Sequence, residues 1–242
     1  MNIKHLIFVL LTLSLCENGY TQTSVLESVL HSKKSMVDIT ARITNVFQNP
    51  KSSAAINPQT GKLLIARQKL VGRHDRTGAG VIISKDGLIV TNLHTVKFAQ
   101  KIAVRLDSGD VLAAKVLHLS PEDDLALLKI NPPDELIPIR FFDSNKVRLG
   151  DEIINIGHST FLKNTASGGR VTRLAFKTIE GKREIELIQV NITLYEGDSG
   201  GPILNKEGDL VGIIAAKFRN TQKATLAIPS NKIKKLYIDY IK

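Results

Sequence analysis

A serine flanked by glycines lies in the segment GDSGGP, which spans residues 197–202. Glycines on both sides of Ser199 permit a tight turn that exposes the hydroxyl group and directs backbone N–H groups inward. Such N–H donors stabilise a developing oxyanion, and the adjacent hydroxyl is suited to attack on a carbonyl carbon. The segment therefore predicts acyl-transfer chemistry with Ser199 as the nucleophile.

The general base for Ser199 must come from an earlier part of the chain. The segment also fits the Gly-x-Ser-x-Gly pattern of α/β-hydrolases, in which the catalytic histidine follows the serine. No histidine occurs after His158, so that class is excluded. Among the six histidines, His94 is the best placed, because it directly follows a strand predicted to begin after the turn at Asp86-Gly87.

The third group must accept a hydrogen bond from the imidazole and hold it in the correct tautomer. Asp123 and Asp124 precede the apolar run 125–130, which puts a carboxylate at the mouth of a predicted strand. Two adjacent residues face different directions, so we expect only one of them to point at His94. The other aspartate is expected to remain in solvent.

Short strands are expected to position these three side chains. Apolar and polar residues alternate from Val37 to Thr44, as in a half-buried strand. Further strand-like runs occur at 62–71, 79–84, 87–91, 101–106, 111–118 and 125–130, and then at 152–157, 168–175, 185–191, 202–205, 209–218 and 223–228. So many short strands favour antiparallel barrels or a sandwich over a doubly wound sheet.

Two helices, a loop and a boundary complete the predicted organisation. A capping box at 24–27 predicts a short helix over 24–34, and an amphipathic pattern predicts a closing helix over 232–241. Residues 48–61 are polar and contain Asn57-Pro58 and Gly61, which is typical of a surface loop. The segment NPPD at 131–134 predicts the boundary between two halves of the chain.

Residues 1–16 have the pattern of an export signal, with a short basic start followed by about ten apolar residues. The sequence LSLC at 13–16 resembles a bacterial lipobox and ends on Cys16, the only cysteine, although Leu15 stands where a small residue is expected. A lipidated Cys16 with membrane association is therefore one alternative, and a buried N-terminal helix is another. Export to a periplasmic or extracellular location is the expectation that this segment favours.

The composition argues against nucleic acid as a partner. The formal net charge of +10 predicts attraction to anionic surfaces in general. Aromatic residues make up only 5% of the chain and tryptophan is absent, so a base-stacking surface is poorly supplied. The basic clusters are expected to be solvated faces, with adhesion to anionic envelope polymers or lipid headgroups as the alternative.

Three segments in this order resemble those of chymotrypsin-like serine peptidases, and more particularly of the bacterial HtrA/DegP group. They are TNLH at 91–94, DLALL at 124–128 and GDSGGP at 197–202, with further matches at 80–87, 148–151 and 227–230. The resemblance covers about residues 36–240. It implies an all-β fold of two antiparallel Greek-key barrels, barrel one at about 36–130 and barrel two at about 145–230, with a short N-terminal and a C-terminal helix. The protease domain is then expected over 24–242.

The resemblance also assigns roles to individual residues. His94 is the general base, Asp124 orients it, Ser199 is the nucleophile, and the backbone N–H groups of Gly197 and Ser199 form the oxyanion hole. Neither a metal nor an organic cofactor is required. The residues expected in the substrate pocket are uncharged, which favours small or medium apolar substrate side chains: Thr193, Ile214, Ala215 and Ala216.

The sequence departs from this family in three places. HtrA proteins usually carry a PDZ domain after the protease, and the chain ends at Lys242 without room for one. Asp198 stands where the group usually has asparagine, and we expect it to be a local loop substitution. Glu196 adds a negative charge beside the expected oxyanion hole. HtrA-type domains often form trimers through the N-terminal segment, so a homo-oligomer is also expected.

Three functions remain open at this level. The first is an exported serine endopeptidase acting on proteins or peptides. The second is an inactive or latent protease-fold protein with a binding or chaperone-like role, for which Glu196 is the motivation. The third is an esterase-like acyl hydrolase on the same fold. Because a fold does not determine a function, the site itself must separate them.

Overall fold

A computed structural model describes residues 22–48, 53–56, 63–66, 69–157, 165–180, 183–193, 195, 197–217 and 225–241. The expected export signal, His158 and Glu196 lie outside these residues. In chain order the elements are α1 (Gln22–Lys33), β1 (Met36–Gln48), β2 (Ser53–Ile56), β3 (Leu63–Ala66), β4 (Lys69–Ile82), β5 (Leu88–Asn92), α2 (Leu93–Val96), β6 (Lys101–Leu106), β7 (Val111–Ser120), β8 (Leu125–Lys129), β9 (Glu152–Gly157), β10 (Thr165–Glu180), β11 (Arg183–Val190), β12 (Pro202–Leu204), β13 (Leu210–Lys217), β14 (Thr225–Pro229) and α3 (Ser230–Ile241). None of the helices in these ranges is long and apolar enough to cross a membrane.

Six strands close barrel one in the order β1, β4, β5, β8, β7, β6, and each neighbouring pair is antiparallel. The alternation predicted for β1 is confirmed, because Val37, Ile39 and Ala41 are all buried. Val37 and Ile39 pack inside the barrel with apolar residues of the other strands, among them Ile89 and Leu128. Period-two burial therefore determines which face of β1 lines the interior.

Barrel two closes in the order β10, β11, β14, β13, β12, β9, again with antiparallel neighbours. Its interior is a second apolar cluster that includes Ile153, Val190, Ile203 and Ile214. The predicted fold of two antiparallel barrels is thus confirmed. The sandwich that strand spacing alone left open is excluded, since both sheets close.

A third apolar cluster joins the two barrels. It contains Met36 and Leu127 from barrel one, Ile228 from barrel two, and Ile233 and Leu236 from α3. Ile233 is completely buried, and a buried side chain of this size contributes about 1.5–3 kcal/mol to the free energy of unfolding. The C-terminal helix is therefore part of the core between the barrels.

Helix α1 also contacts both barrels. The Ser32 hydroxyl donates a 2.8 Å hydrogen bond to the Gly208 carbonyl in barrel two. Lys33 forms a 3.0 Å ion pair with Asp107 in barrel one. The sequence expectation of a short helix here is confirmed, while assembly into a trimer through this segment stays a prediction.

The segment expected to be one surface loop over 48–61 contains a strand. Ser53–Ile56 pairs with Leu63–Ala66 in a small antiparallel sheet. The Asn-Pro and glycine residues that suggested a loop stand between these two strands in the sequence and lie outside the described residues. The run predicted as one strand over 62–71 is accordingly divided between β3 and the start of β4.

The Glu152 carboxylate forms two ion pairs at the rim of barrel two. Its carboxylate lies 2.7 Å from Lys206 and 2.5 Å from Arg170, and its side chain is only 11% exposed. The Lys206 hydrogen bond, aided by the charges of Lys206 and Arg170, lowers the pKa of Glu152 against the opposing effect of burial. A depressed pKa stabilises the folded protein above the ordinary glutamate range.

We predict that Glu152→Gln lowers the free energy of unfolding at pH 7 and that this loss shrinks as the pH falls through the depressed pKa. The reason is that the unfolded carboxyl is protonated below its usual pKa of about 4.3, and the folded carboxyl is protonated in turn below its lower pKa. The negative charge that glutamine lacks then no longer stabilises the folded protein. Urea unfolding at pH 7 and pH 3 measures the difference. The exposed Glu186→Gln is the control and should change stability by less than about 0.5 kcal/mol at both pH values. A Glu152→Gln penalty that is equal at both pH values would contradict this assignment.

Candidate active site

Strand pairing brings His94 and Asp124 to the same edge of barrel one. In the antiparallel pair of β5 and β8, Asn92 lies opposite Leu125. The residues that follow β5 therefore meet the residues that precede β8. His94 lies in α2, two residues after the end of β5, and Asp124 is the last residue before β8.

Both oxygens of the Asp124 carboxylate contact His94. One oxygen lies 2.6 Å from the imidazole Nδ1, and the other accepts a 2.9 Å hydrogen bond from the His94 backbone N–H. A carboxylate at Nδ1 places the imidazole proton on that nitrogen and leaves the Nε2 lone pair available as a base. The His94 side chain is 45% exposed, so its free edge faces the surface of the barrel.

Asp124 has a left-handed backbone, with φ at +54°. This conformation costs about 1–3 kcal/mol in a residue other than glycine, although aspartate tolerates it better than most. Two contacts to the Asp124 carbonyl hold it in place: the Leu93 N–H donates at 2.9 Å and the Asn92 side chain at 3.4 Å. The strained residue is thus fixed through its carboxylate and its carbonyl by the segment that carries His94.

The neighbouring aspartate behaves differently from the expectation. Asp124 faces His94, but Asp123 is only partly exposed to solvent and is paired with a lysine. Its carboxylate accepts a 2.6 Å hydrogen bond from the Lys232 ammonium, and only 29% of its side chain is exposed. The expectation was wrong because Lys232 belongs to α3, more than a hundred residues later in the chain.

The Ser199 loop connects β11 to β12 and is fixed by backbone hydrogen bonds on two sides. The Ala79 N–H of β4 donates to the Ser199 carbonyl at 2.7 Å. The Gly200 N–H donates to the Ile214 carbonyl of β13 at 2.9 Å. Since β4 belongs to barrel one and β13 to barrel two, the serine loop lies where the two barrels meet.

Close backbone packing explains two of the glycines near Ser199. A Cβ atom on Gly78 would lie 2.6 Å from Thr95 Cγ2 and 3.1 Å from the Ser199 carbonyl oxygen. Strand β4 at Gly78 therefore touches both the Ser199 loop and the helix that carries His94. Gly200 has a φ of +85°, and a Cβ there would lie 2.2 Å from the Ala79 carbonyl oxygen. The structure thus brings the segments of Ser199 and His94 together around β4.

The loop before Ser199 contains a glycine with a left-handed backbone. Gly197 has a φ of +99°, a conformation that favours glycine. In the part of the chain that the structure describes, no acceptor takes a hydrogen bond from the backbone N–H of Gly197 or of Ser199. Asp198 is buried, and its carboxylate accepts a 2.8 Å hydrogen bond from the Tyr195 N–H. The expected role of Asp198 as a local loop substitution stays a prediction.

The residues expected in the substrate pocket differ in burial. Thr193 and Ala215 are half-buried, whereas Ile214 is completely buried and its side chain packs inside barrel two. Ala216 lies in β13, and its side chain is outside the described set. The buried hydroxyl of Thr225 donates a 2.6 Å hydrogen bond to the Ile192 carbonyl, next to Thr193.

Sequence reasoning did not identify four residues that support the site. The Arg76 guanidinium donates to the His94 carbonyl, and the Thr91 hydroxyl donates to the Ala79 carbonyl at 2.7 Å. Thr225 and Lys232 make the contacts described above. Thr91 stands within the TNLH segment, which was the one available signal. The other three residues are separated from their partners by 18 or more positions in the sequence, so no local pattern indicates these contacts.

A family model described as a trypsin-like peptidase domain matches residues 78–213, a range that contains His94, Asp124 and Ser199. Serine protease HTRA4 of Mus musculus is 38% identical over 171 residues, which cover 68% of this chain and 34% of the mouse protein. The periplasmic pH-dependent serine endoprotease DegQ of Escherichia coli is 36% identical over 163 residues, which cover 66% of this chain and 36% of DegQ. The chain therefore spans about a third of the length of these relatives.

Solved structures show the same fold. One is the HtrA-type protease AlgW with a decapeptide, with a TM-score of 0.72 and 24% identity over 90% of this chain and 67% of that chain. A variant of AlgW with a decapeptide gives a TM-score of 0.76 and 22% identity over 90% of this chain and 68% of that chain. At these identities the likeness concerns the arrangement of the barrels.

The packing of the Ser199 loop against β4 predicts a large effect of Gly200→Ala. The added methyl group would clash with the Ala79 carbonyl oxygen. The positive φ of this position adds backbone strain for any residue other than glycine. Gly109→Ala is the matched control, because Gly109 also has a positive φ but a Cβ there would meet nothing within 4 Å. We expect Gly200→Ala to lower the free energy of unfolding by about 1–3 kcal/mol more than Gly109→Ala, measured in urea. Equal penalties would show that the serine loop is not packed against β4.

Proposed function

Because this chain belongs to the trypsin-like peptidase family, in the HtrA/DegP group, we propose that it is a serine endopeptidase that hydrolyses peptide bonds. The observation that supports this most strongly is the double contact of Asp124 with His94, at 2.6 and 2.9 Å, beside the Ser199 loop. An imidazole held in this way is ready to accept a proton at Nε2. The relatives are named serine proteases, so an inactive chaperone-like protein is not favoured.

The proposed reaction passes through an acyl-enzyme. Ser199 attacks the carbonyl carbon of the substrate while His94 takes its proton, and His94 then donates that proton to the leaving amine. Asp124 stabilises the imidazolium that forms between these steps. Water, activated by His94, attacks the ester and releases the acyl group. Every atom that is transferred in these reaction steps comes from the substrate, from water or from these three residues.

The oxyanion of the tetrahedral intermediate is assigned to the N–H groups of Gly197 and Ser199. The positive φ of Gly197 and the absence of an acceptor for both N–H groups among the described residues support this assignment. One such donor typically accounts for a factor of about 100–1000 in rate. Asp198 is expected to maintain the turn by its bond to the Tyr195 N–H.

We assign the substrate pocket to Thr193 and Ala215, with Ile214 closing its base from the interior of barrel two and Ala216 continuing the wall. None of these side chains carries a charge that would pair with lysine or arginine. The pocket is therefore proposed to accept small or medium apolar side chains. Peptides are a reasonable substrate class, since HtrA-type neighbours were solved with peptides bound.

The proposed location is the bacterial cell envelope. Residues 1–16 have the pattern of an export signal, and relatives such as the DegP-like protein of Brucella suis are named periplasmic endoproteases. A lipid anchor on Cys16 remains the alternative for this segment. Mass spectrometry of protein from the envelope fraction distinguishes cleavage after Cys16 from lipidation of Cys16.

The activated serine predicts covalent labelling by a fluorophosphonate probe. We expect the wild-type protein to be labelled, and Ser199→Ala and His94→Ala to lose labelling because one lacks the nucleophile and the other its base. His118→Ala, which replaces an exposed histidine, is the matched control and should be labelled as strongly as the wild type. In-gel fluorescence with circular dichroism as a folding check gives the result. A folded wild-type protein that is not labelled would contradict the proposed function and favour a binding role.

A further inference from the structure

The ion pair between Lys232 and Asp123 connects the C-terminal helix to the catalytic edge of barrel one. The Lys232 ammonium donates to the Asp123 carboxylate at 2.6 Å. Both side chains are mostly covered, with 25% of Lys232 and 29% of Asp123 exposed. Partly buried pairs of this kind are screened less by salt than pairs on an open surface.

Lys232 lies in the first turn of α3, which several contacts hold in place. Its neighbour Ile233 is completely buried in the cluster between the barrels. The Ser230 hydroxyl donates a 2.6 Å hydrogen bond to the Phe142 carbonyl, and the Asn231 side chain donates to Asp143 at 2.8 Å. The first turn of α3 is therefore fixed by contacts that do not involve Lys232 or the catalytic residues.

Asp123 is bonded directly to the strained residue Asp124. A left-handed aspartate persists only when its surroundings determine its conformation. On the C-terminal side, Leu125 is held by its pairing with Asn92. On the N-terminal side, Lys232 is the partner that the structure gives to the Asp123 side chain. Movement of Asp123 would shift the Asp124 carboxylate relative to His94.

Charge supports the same conclusion. Asp123 and Asp124 are two adjacent carboxylates, and like charges so close repel each other. The Lys232 ammonium lies 2.6 Å from the Asp123 carboxylate and offsets its negative charge. Asp124 is then left to interact with His94 through both of its oxygens.

We propose that Lys232 is a positioning residue for the reaction, acting through Asp123 to hold Asp124 in the geometry that orients His94. The proposal rests on the proposed peptidase function for its kinetic test. It makes α3 a functional element as well as a structural one. It also predicts that disturbing the first turn of α3 changes the rate of the chemical step more than substrate binding.

Steady-state kinetics with a peptide substrate provide the first test. Lys232→Met keeps an unbranched side chain of similar length and removes the charge. Because displacement of a catalytic group by about 1 Å costs up to about 100-fold, we expect kcat to fall about 10-fold with KM within about twofold. Lys232→Arg keeps the charge and should restore most of kcat. Lys235→Met, an exposed lysine of the same helix, should match the wild type.

Asp123→Asn gives a second route if Lys232→Met fails to fold. It removes the partner charge at nearly constant volume, and we expect the same fall in kcat. The double variant Lys232→Met with Asp123→Asn should be no slower than either single variant, since both remove one interaction. Independent, multiplicative losses would overturn the proposal.

Proton NMR in a Ser199→Ala background separates this inference from the peptidase function, because it needs no turnover. A hydrogen-bonded proton between His94 Nδ1 and Asp124 resonates far downfield. We expect Lys232→Met to weaken or remove this resonance and Lys235→Met to preserve it. An unchanged resonance together with an unchanged kcat would overturn the role of Lys232. A Lys232-dependent resonance in a protein that hydrolyses no peptide would support the positioning role and contradict the proposed function.

Discussion

The chemistry proposed for this protein depends on one interaction, the contact of the Asp124 carboxylate with His94. Asp124 binds both the imidazole and the backbone N–H of His94, and it does so from a left-handed conformation that it would not adopt alone. The pairing of β5 with β8 brings the two residues to one edge of barrel one. Hydrogen bonds from Leu93 and Asn92 then fix the Asp124 carbonyl. The orientation of His94 thus follows from the register of β5 with β8 and from the hydrogen bonds that the Asp124 carbonyl accepts.

Ser199, the proposed nucleophile, lies in a loop between strands of barrel two, so its position near this pair requires the two barrels to be held together. The apolar cluster between them includes residues of both barrels and of α3, and α1 contacts both barrels through Ser32 and Lys33. The Ser199 loop is joined to β4 by the Ala79 hydrogen bond and to β13 by the Gly200 hydrogen bond. Glycine is required where these backbones touch. The site is therefore assembled at an interface whose stability comes from apolar burial outside the site itself.

Local sequence patterns were sufficient for the parts of this structure that depend on local physics. Alternation predicted the inward face of β1, and local patterns selected His94 and Asp124, which the structure brings into contact; the catalytic roles of these residues and of Ser199 stay predictions. The patterns failed where a contact joins distant segments. Lys232 approaches Asp123 only because α3 packs between the barrels, and neither residue carries a local sign of the other. The pairing of β2 with β3 was missed because residues between the two strands in the sequence, among them Asn57, Pro58 and Gly61, are typical of a surface loop.

In the proposed mechanism, Asp124 makes His94 an effective base for Ser199. The most direct test is kcat/KM of Asp124→Asn on a peptide substrate, with circular dichroism to show that the variant is folded. The amide is isosteric with the carboxylate but lacks its charge and favours the wrong imidazole tautomer. We expect a loss of about 10,000-fold in kcat/KM. A folded variant within about tenfold of the wild type would contradict it, because the contact on which the arrangement depends would then have no catalytic consequence.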